Sequence, residues 1–190
     1  MAKLNIKICN IGQSHNERSS WATKAIGLID RNSYSLYPSE DNYLTICVDD
    51  VSNNEDEKFE TPNINHIHKI LEYSKSFTEE DRILVHCHAG ISRSTATAIG
   101  ILIQHGYSPK EAFDYIYSVR PIMYPNSLFI SLFDTALNMN GLLLQELLNW
   151  NKNNSWNVAT DGIIMMDKVT SDAVKKETAD EMVKFMKLVK

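Results

Sequence analysis

The stretch from Ile83 to Gln104 constrains this chain more than any other. A short apolar run, Ile83-Leu84-Val85, leads into His86-Cys87; five residues follow, then Arg93, then a nearly all-apolar helical segment from Thr95 to Gln104 that stops at Gly106. A strand that is apolar on both faces belongs in the interior of a parallel sheet. A helix that is apolar all round must be covered on every side. Both conditions are met in a layered α/β domain, with the turn between strand and helix at the carboxyl edge of the sheet.

The flanking sequence repeats the alternation. Leu4-Asn5-Ile6-Lys7-Ile8 alternates like a strand, Lys24 to Ile29 is ambiguous between strand and helix, and Leu44 to Val48 reads as a strand ending at Asp49-Asp50. Asp30-Arg31-Asn32-Ser33 supplies turn residues. Thr61-Pro62 reads as an N-cap with proline at the first helical position, opening a helix to about Phe77. Ser108-Pro109-Lys110-Glu111 is a capping box, and the last core helix begins near Asn126. The expected fold is three-layer α/β, with a central, mostly parallel sheet of four to five strands flanked by helices.

Residues 1–148 are expected to form the main domain. The amide-rich run from Asn149 to Asn157 opens a linker over 149–170, and residues 171–190 have the spacing of an amphipathic helix, with Ala179, Met182, Val183, Met186 and Val189 on one face. No apolar run approaches the roughly 20 residues needed to span a bilayer. Met1 to Cys9 lacks the uninterrupted apolar core of a signal peptide. Three cysteines, Cys9, Cys47 and Cys87, cannot make a disulfide framework and fit a reducing compartment. A cytoplasmic protein without a membrane segment is the expectation. The net charge of −5, with no basic stripe, argues against a nucleic-acid partner.

The turn itself carries the chemistry. A helix N-terminus at the carboxyl edge of a sheet offers free N–H groups and the positive end of the helix dipole to an anion. The residues His88, Ala89, Gly90, Ile91 and Ser92 can curl their amides around a tetrahedral oxyanion, with Gly90 giving the backbone the freedom to do so. Cys87 at the base of such a cradle is placed to act as a thiolate nucleophile. Arg93 can hold two oxyanion oxygens at once, and Ser94 sets a hydroxyl beside the sulfur. His86 is read as a structural neighbour that orients the loop and tunes the thiolate, and His88 as a rim residue. Adjacent strand residues point to opposite faces, so His86-Cys87-His88 does not make a metal site, and no other zinc-like ligand pair accompanies it. No metal or cofactor is needed by this set.

His-Cys-x-Ala-Gly-x-Ser-Arg-Ser resembles the signature of the protein tyrosine phosphatase superfamily, in its small dual-specificity-like and prokaryotic or viral branches. Two other segments are similar to the family pattern: Tyr43 to Asp50, the strand leading to a general-acid aspartate, and Arg120-Pro121-Ile122-Met123-Tyr124-Pro125-Asn126. The resemblance spans roughly Tyr43 to Leu137. It implies that Asp50 is the acid in preference to Asp49, and that Asn126 braces the phosphate loop. The separation of 37 residues between Asp50 and Cys87 exceeds what is usual in small dual-specificity enzymes; the acidic run from Ser52 to Lys58 can absorb it.

The resemblance implies hydrolysis of a phosphomonoester through a phosphocysteine. The expected substrate is a phosphorylated protein, carrying phosphotyrosine or, more broadly, phosphoserine and phosphothreonine. Two alternatives stand beside it. One keeps the fold and acts on an RNA 5′-phosphate, a phosphoinositide or a small phosphate ester; the other is a pseudophosphatase that binds phosphate without turnover.

Overall fold

Four parallel strands organise the computed structural model, which describes residues 3–52 and 58–154. They are β1 (Asn5–Asn10), β2 (Lys24–Ile29), β3 (Tyr43–Cys47) and β4 (Arg82–Cys87), in the spatial order β1-β4-β2-β3. The ambiguous segment at Lys24 is therefore a strand, and it lies between β4 and β3. Hydrogen-bonded neighbours on both sides leave β4 no free edge, which explains its unbroken burial from Ile83 to Cys87. Register sets Asn10 beside Cys87 and Gly27 beside His86. A Cβ at Gly27 would come within 2.4 Å of the Tyr43 hydroxyl and 2.8 Å of His86 Nε2, so glycine is required there.

Among the described residues six α-helices accompany the sheet: α1 (Ile11–Ser20), α2 (Ile64–Ser74), α3 (Arg93–Gln104), α4 (Pro109–Val119), α5 (Ser127–Ala136) and α6 (Leu142–Asn154). Helix α1 lies against β1 and β4, where Trp21 and Ala22, just beyond its end, cover Cys9, Ala25, Tyr43 and Leu84. Helix α3 is buried from Arg93 to Ile103 and touches α2, α4, α5 and β4. Its Gly100 is pressed against the Phe133 ring of α5, where a Cβ would sit 2.3 Å from a ring carbon. The arrangement is the three-layer α/β fold with a wholly parallel sheet.

Three helices differ in their boundaries from what the sequence predicts. Helix α2 is capped by Asn63, not Thr61, and ends at Ser74, short of Phe77. The Asn63 side chain accepts from the backbone N–H groups of Asn65 and His66, and His66 Nδ1 accepts from the Asn63 N–H, a closed reciprocal cap. Helix α3 starts at Arg93 instead of Thr95. Residues 149–154 of the run expected to open the linker belong to α6 (Leu142–Asn154). Leu143, Leu147 and Trp150 recur at i, i+4 and i+7 and are buried, Trp150 against Phe113 and Tyr117. That apolar stripe outweighs the amide composition of its exposed side. Asp134 fixes the start of α6 by accepting from Gly141 and Leu143 N–H at 2.7 and 2.9 Å. Met1–Asn154 forms one compact unit. Most of the expected linker and the whole amphipathic helix at 171–190 lie outside the described residues. Among the described residues no helix is long and apolar enough to cross a membrane.

Candidate active site

The loop between β4 and α3 is fixed by its carbonyl groups, every one of which is engaged outward. His88 C=O accepts from Ile11 N–H at 3.1 Å; Ala89 and Gly90 C=O accept from the Arg120 guanidinium at 3.3 and 2.8 Å. Ile91 C=O accepts from Tyr124 N–H at 2.9 Å, and Ser92 C=O from Ala96 and Asn126 N–H at 3.1 and 3.4 Å. In a trans peptide the N–H points opposite to the C=O. Carbonyls drawn outward therefore turn the amides inward, and Gly90 N–H reaches Cys87 Sγ at 3.3 Å. Gly90 takes φ +70°, and its backbone lies so close to β1 that a Cβ would meet the Cys9 carbonyl at 2.6 Å. Only glycine satisfies both demands.

Cys87 is fully buried at the base of this nest, with Ser94 Oγ 3.2 Å from its sulfur. Arg93 is 2% exposed. Its Nη1 donates to the Val48 carbonyl at 2.6 Å and to Asp30 Oδ1 at 2.7 Å, while Nε makes no hydrogen bond with any described residue. One branch of the guanidinium is thus anchored and its Nε is left unspent. In the sequence Asp30 stands out only as a turn residue. Nothing local in the sequence signals its contact with Arg93, which closes across 63 positions.

The two neighbouring aspartates separate cleanly. Asp50 Oδ1 accepts from Ser92 Oγ at 2.8 Å and Asn126 Nδ2 at 2.9 Å, and Oδ2 lies 3.5 Å from Arg93 Nε. Asp49 accepts from the backbone N–H groups of Arg31 and Glu60 at 3.1 and 2.7 Å, which ties the far side of its own loop and the turn after β2 together. Only Asp50 faces the nest.

Asn126 sits where the resemblance implied, with different contacts. Its side chain caps α5 through Phe129 N–H and donates to Asp50 and to the Val51 carbonyl; its backbone N–H alone meets the phosphate loop. The larger brace is Arg120, which the sequence reading noted only as part of an Arg-Pro segment. Burial lowers the Arg120 pKa, opposed by the neighbouring Cys9 and Cys87.

The ring of His86 is engaged by Tyr43 and Tyr37. Its Nε2 is 2.8 Å from the Tyr43 hydroxyl and its ring stacks on Tyr43, while Nδ1 has no partner among the described residues. Burial, with a further push from Arg18, lowers its pKa to about 4. It is neutral at pH 7, and its ring hydrogen bond runs to Tyr43 and not to the phosphate loop it was expected to orient. His88 is 71% exposed at the rim, its Nδ1 3.6 Å from Asp30 Oδ2. Burial likewise pushes the Cys9 thiol up to about 12, so it stays protonated. Among the described residues no three His, Cys, Asp or Glu side chains gather as a metal site requires.

A buried cysteine under inward amides, an arginine whose Nε makes no hydrogen bond with a described residue and an aspartate at the mouth define a cysteine-based phosphate site. Residues 17–136 match the dual specificity phosphatase catalytic domain, and the chain belongs to that family. Among its curated relatives, the MAP kinase phosphatase with leucine-rich repeats protein 2 of Dictyostelium discoideum is 34% identical over 101 residues, covering 53% of this chain and 14% of that protein. Human dual specificity protein phosphatase 18 is 35% identical over 88 residues, 46% of this chain and 44% of its own length. The chain thus spans less than half of either relative. The fold is shared with the Cydia pomonella PTP-2 phosphatase (TM-score 0.53, 23% identity, 70% of this chain and 86% of that one). It is shared also with human DUSP28 (TM-score 0.53, 17% identity, 70% and 92%).

Proposed function

We propose that this chain hydrolyses phosphomonoesters of proteins, phosphotyrosine foremost and phosphoserine or phosphothreonine as well, through a phosphocysteine intermediate. The outward engagement of every loop carbonyl from His88 to Ser92 carries this reading, because it leaves a preformed cradle of donors above the Cys87 sulfur. The dual specificity phosphatase family supports the substrate class.

In the first step Cys87 thiolate attacks phosphorus, forming S–P as the ester P–O bond breaks. Asp50 gives its proton to the departing oxygen, which otherwise leaves as a poor anion. Loop amides and the Nε edge of Arg93 stabilise the equatorial oxygens. In the second step Asp50 takes a proton from water as the water oxygen attacks phosphorus. The S–P bond breaks, inorganic phosphate leaves, and the Ser94 hydroxyl hydrogen-bonds the departing thiolate. No step calls on a metal.

Acid-quenched protein turning over an aryl phosphate should carry one phosphoryl group on Cys87 by peptide mass analysis. A panel of phosphotyrosine, phosphoserine and phosphothreonine peptides, an RNA 5′-phosphate and a phosphoinositide then assigns the substrate. Turnover without a Cys87 adduct refutes the mechanism; preference for RNA or lipid refutes the substrate class; oxyanion binding with no turnover on any member makes the chain a pseudophosphatase.

A further inference from the structure

We propose that Asp30 is a positioning residue for Arg93, holding the guanidinium so that its Nε edge faces the phosphate and keeping Asp50 free to act as the acid. The inference rests on the phosphatase reading and adds a residue to it.

Arg93 is a buried cation, and a buried cation needs a fixed counter-charge. Two carboxylates are in reach. Asp30 Oδ1 meets Nη1 at 2.7 Å; Asp50 Oδ2 stands 3.5 Å from Nε, and no hydrogen bond joins them. Asp30 therefore makes the closer pair, on the branch that the Val48 carbonyl also fixes. Two acceptors on Nη1 set the plane of the guanidinium, and the edge that remains is the one a bidentate oxyanion uses. Asp30 stands at the N-cap position of the 3-10 turn Arg31–Leu36, yet its side chain caps nothing there. Its carboxylate is given to Arg93 and, at 3.6 Å, to His88 at the rim.

Without Asp30, Asp50 is the remaining counter-ion. It has only to close from 3.5 Å to hydrogen-bonding distance on Nε. That movement would cover the anion-binding edge and withdraw the acid in one step. Loss of Asp30 should thus weaken oxyanion binding and turnover together, without unfolding the chain.

The test is a double-mutant cycle on the full chain, read by tungstate binding calorimetry and by kcat and KM for an aryl phosphate. Asp30→Ala should weaken tungstate by roughly 10- to 100-fold, the loss typical of a charge-assisted hydrogen bond, and should raise KM and lower kcat. Asp30→Asn keeps an acceptor for Nη1 and should recover part of the loss. In an Arg93→Lys background, Asp30→Ala should cost less than threefold, because the residue acts through the fork. Thermal unfolding of each variant separates positioning from misfolding, and Asp30→Asn serves if Asp30→Ala does not fold. Tungstate affinity and KM within twofold of the parent in Asp30→Ala, or an undiminished effect beside Arg93→Lys, overturn the proposal. A parent that binds tungstate but turns over no ester removes the phosphatase reading alone; a parent that binds no oxyanion removes both.

Discussion

Residues 88–92 are held through their own backbone carbonyls, whereas the Asp50 carboxylate is held by side chains, Ser92 Oγ and Asn126 Nδ2. The difference follows from what each region must do. A cradle for an anion works best when its donors do not reorganise, so its carbonyls are pinned from the first residue of α1, the residue that ends α4 and the segment before α5. An acid must meet leaving groups of different shape and exchange protons with water. Asp50 is a third exposed, and among the described residues its carboxylate meets the Ser92 hydroxyl, the Asn126 amide and the Arg93 guanidinium.

The largest expected effect removes the nucleophile while sparing the cradle. Cys87→Ser should bring aryl phosphate hydrolysis down to the uncatalysed background, yet bind tungstate as the parent does, since the amides and Arg93 are untouched. Residual turnover well above background would show that the cradle alone performs chemistry, and the proposed division between the two regions would fail.

The next effect falls on the acid segment. Asp50→Asn should slow phosphotyrosine hydrolysis by roughly 10²- to 10⁴-fold and slow esters of activated phenols less, because protonation matters most for a poor leaving group. The alkaline limb of the kcat/KM profile should vanish with it. Asp49→Asn should alter neither, since its carboxylate braces the Arg31 and Glu60 N–H groups. A lost alkaline limb in Asp49→Asn, with the limb kept in Asp50→Asn, would move the acid by one residue.

A smaller effect tests the rigidity of the cradle. Gly90→Ala forces a side chain into a left-handed backbone position and against the Cys9 carbonyl. It should cost about 2–4 kcal/mol in urea unfolding and weaken tungstate more than it weakens the fold elsewhere. Parent-like tungstate binding would mean that the loop relaxes freely, and the contrast with the Asp50 segment would dissolve.

How much of this was legible follows the same contrast. The nucleophile, Arg93, Ser94 and the loop amides lie within eight consecutive residues, and a strand, a turn and a helix N-terminus bring them together without help from elsewhere. Asp50 was placed by its family register, and the structure turns it toward the loop. Asp30 and the braces from Arg120 depend on strand order and helix placement, which local pattern does not encode; Arg93 and Asp30 are 63 positions apart. Helix α6 is hidden in the sequence for a different reason. Its exposed side is rich in asparagine, and composition hid the stripe of Leu143, Leu147 and Trp150 that holds it down.

The smallest expected effect concerns His86, which precedes the nucleophile and yet belongs to the other face of β4. Its ring is buried beside Tyr43 and its folded pKa is about 4, against about 6.5 when unfolded. A depressed histidine pKa means that the unfolded chain binds the proton more readily. The stabilising contribution is therefore complete above about pH 6.5 and declines as pH falls toward 4. Between pH 7 and pH 5 this amounts to roughly 1–2 kcal/mol. Urea unfolding of the parent should lose that much more stability over the interval than His86→Gln, in which no titrating ring remains. Tyr43→Phe should keep the parent's slope, because burial and not the hydroxyl is the main cause of the shift. Identical slopes in the parent and His86→Gln would show that the ring is hydrated in solution. A slope that disappears with Tyr43→Phe would make the 2.8 Å bond to the hydroxyl the cause, and would bind the chemistry of this face to the tyrosine that opens β3.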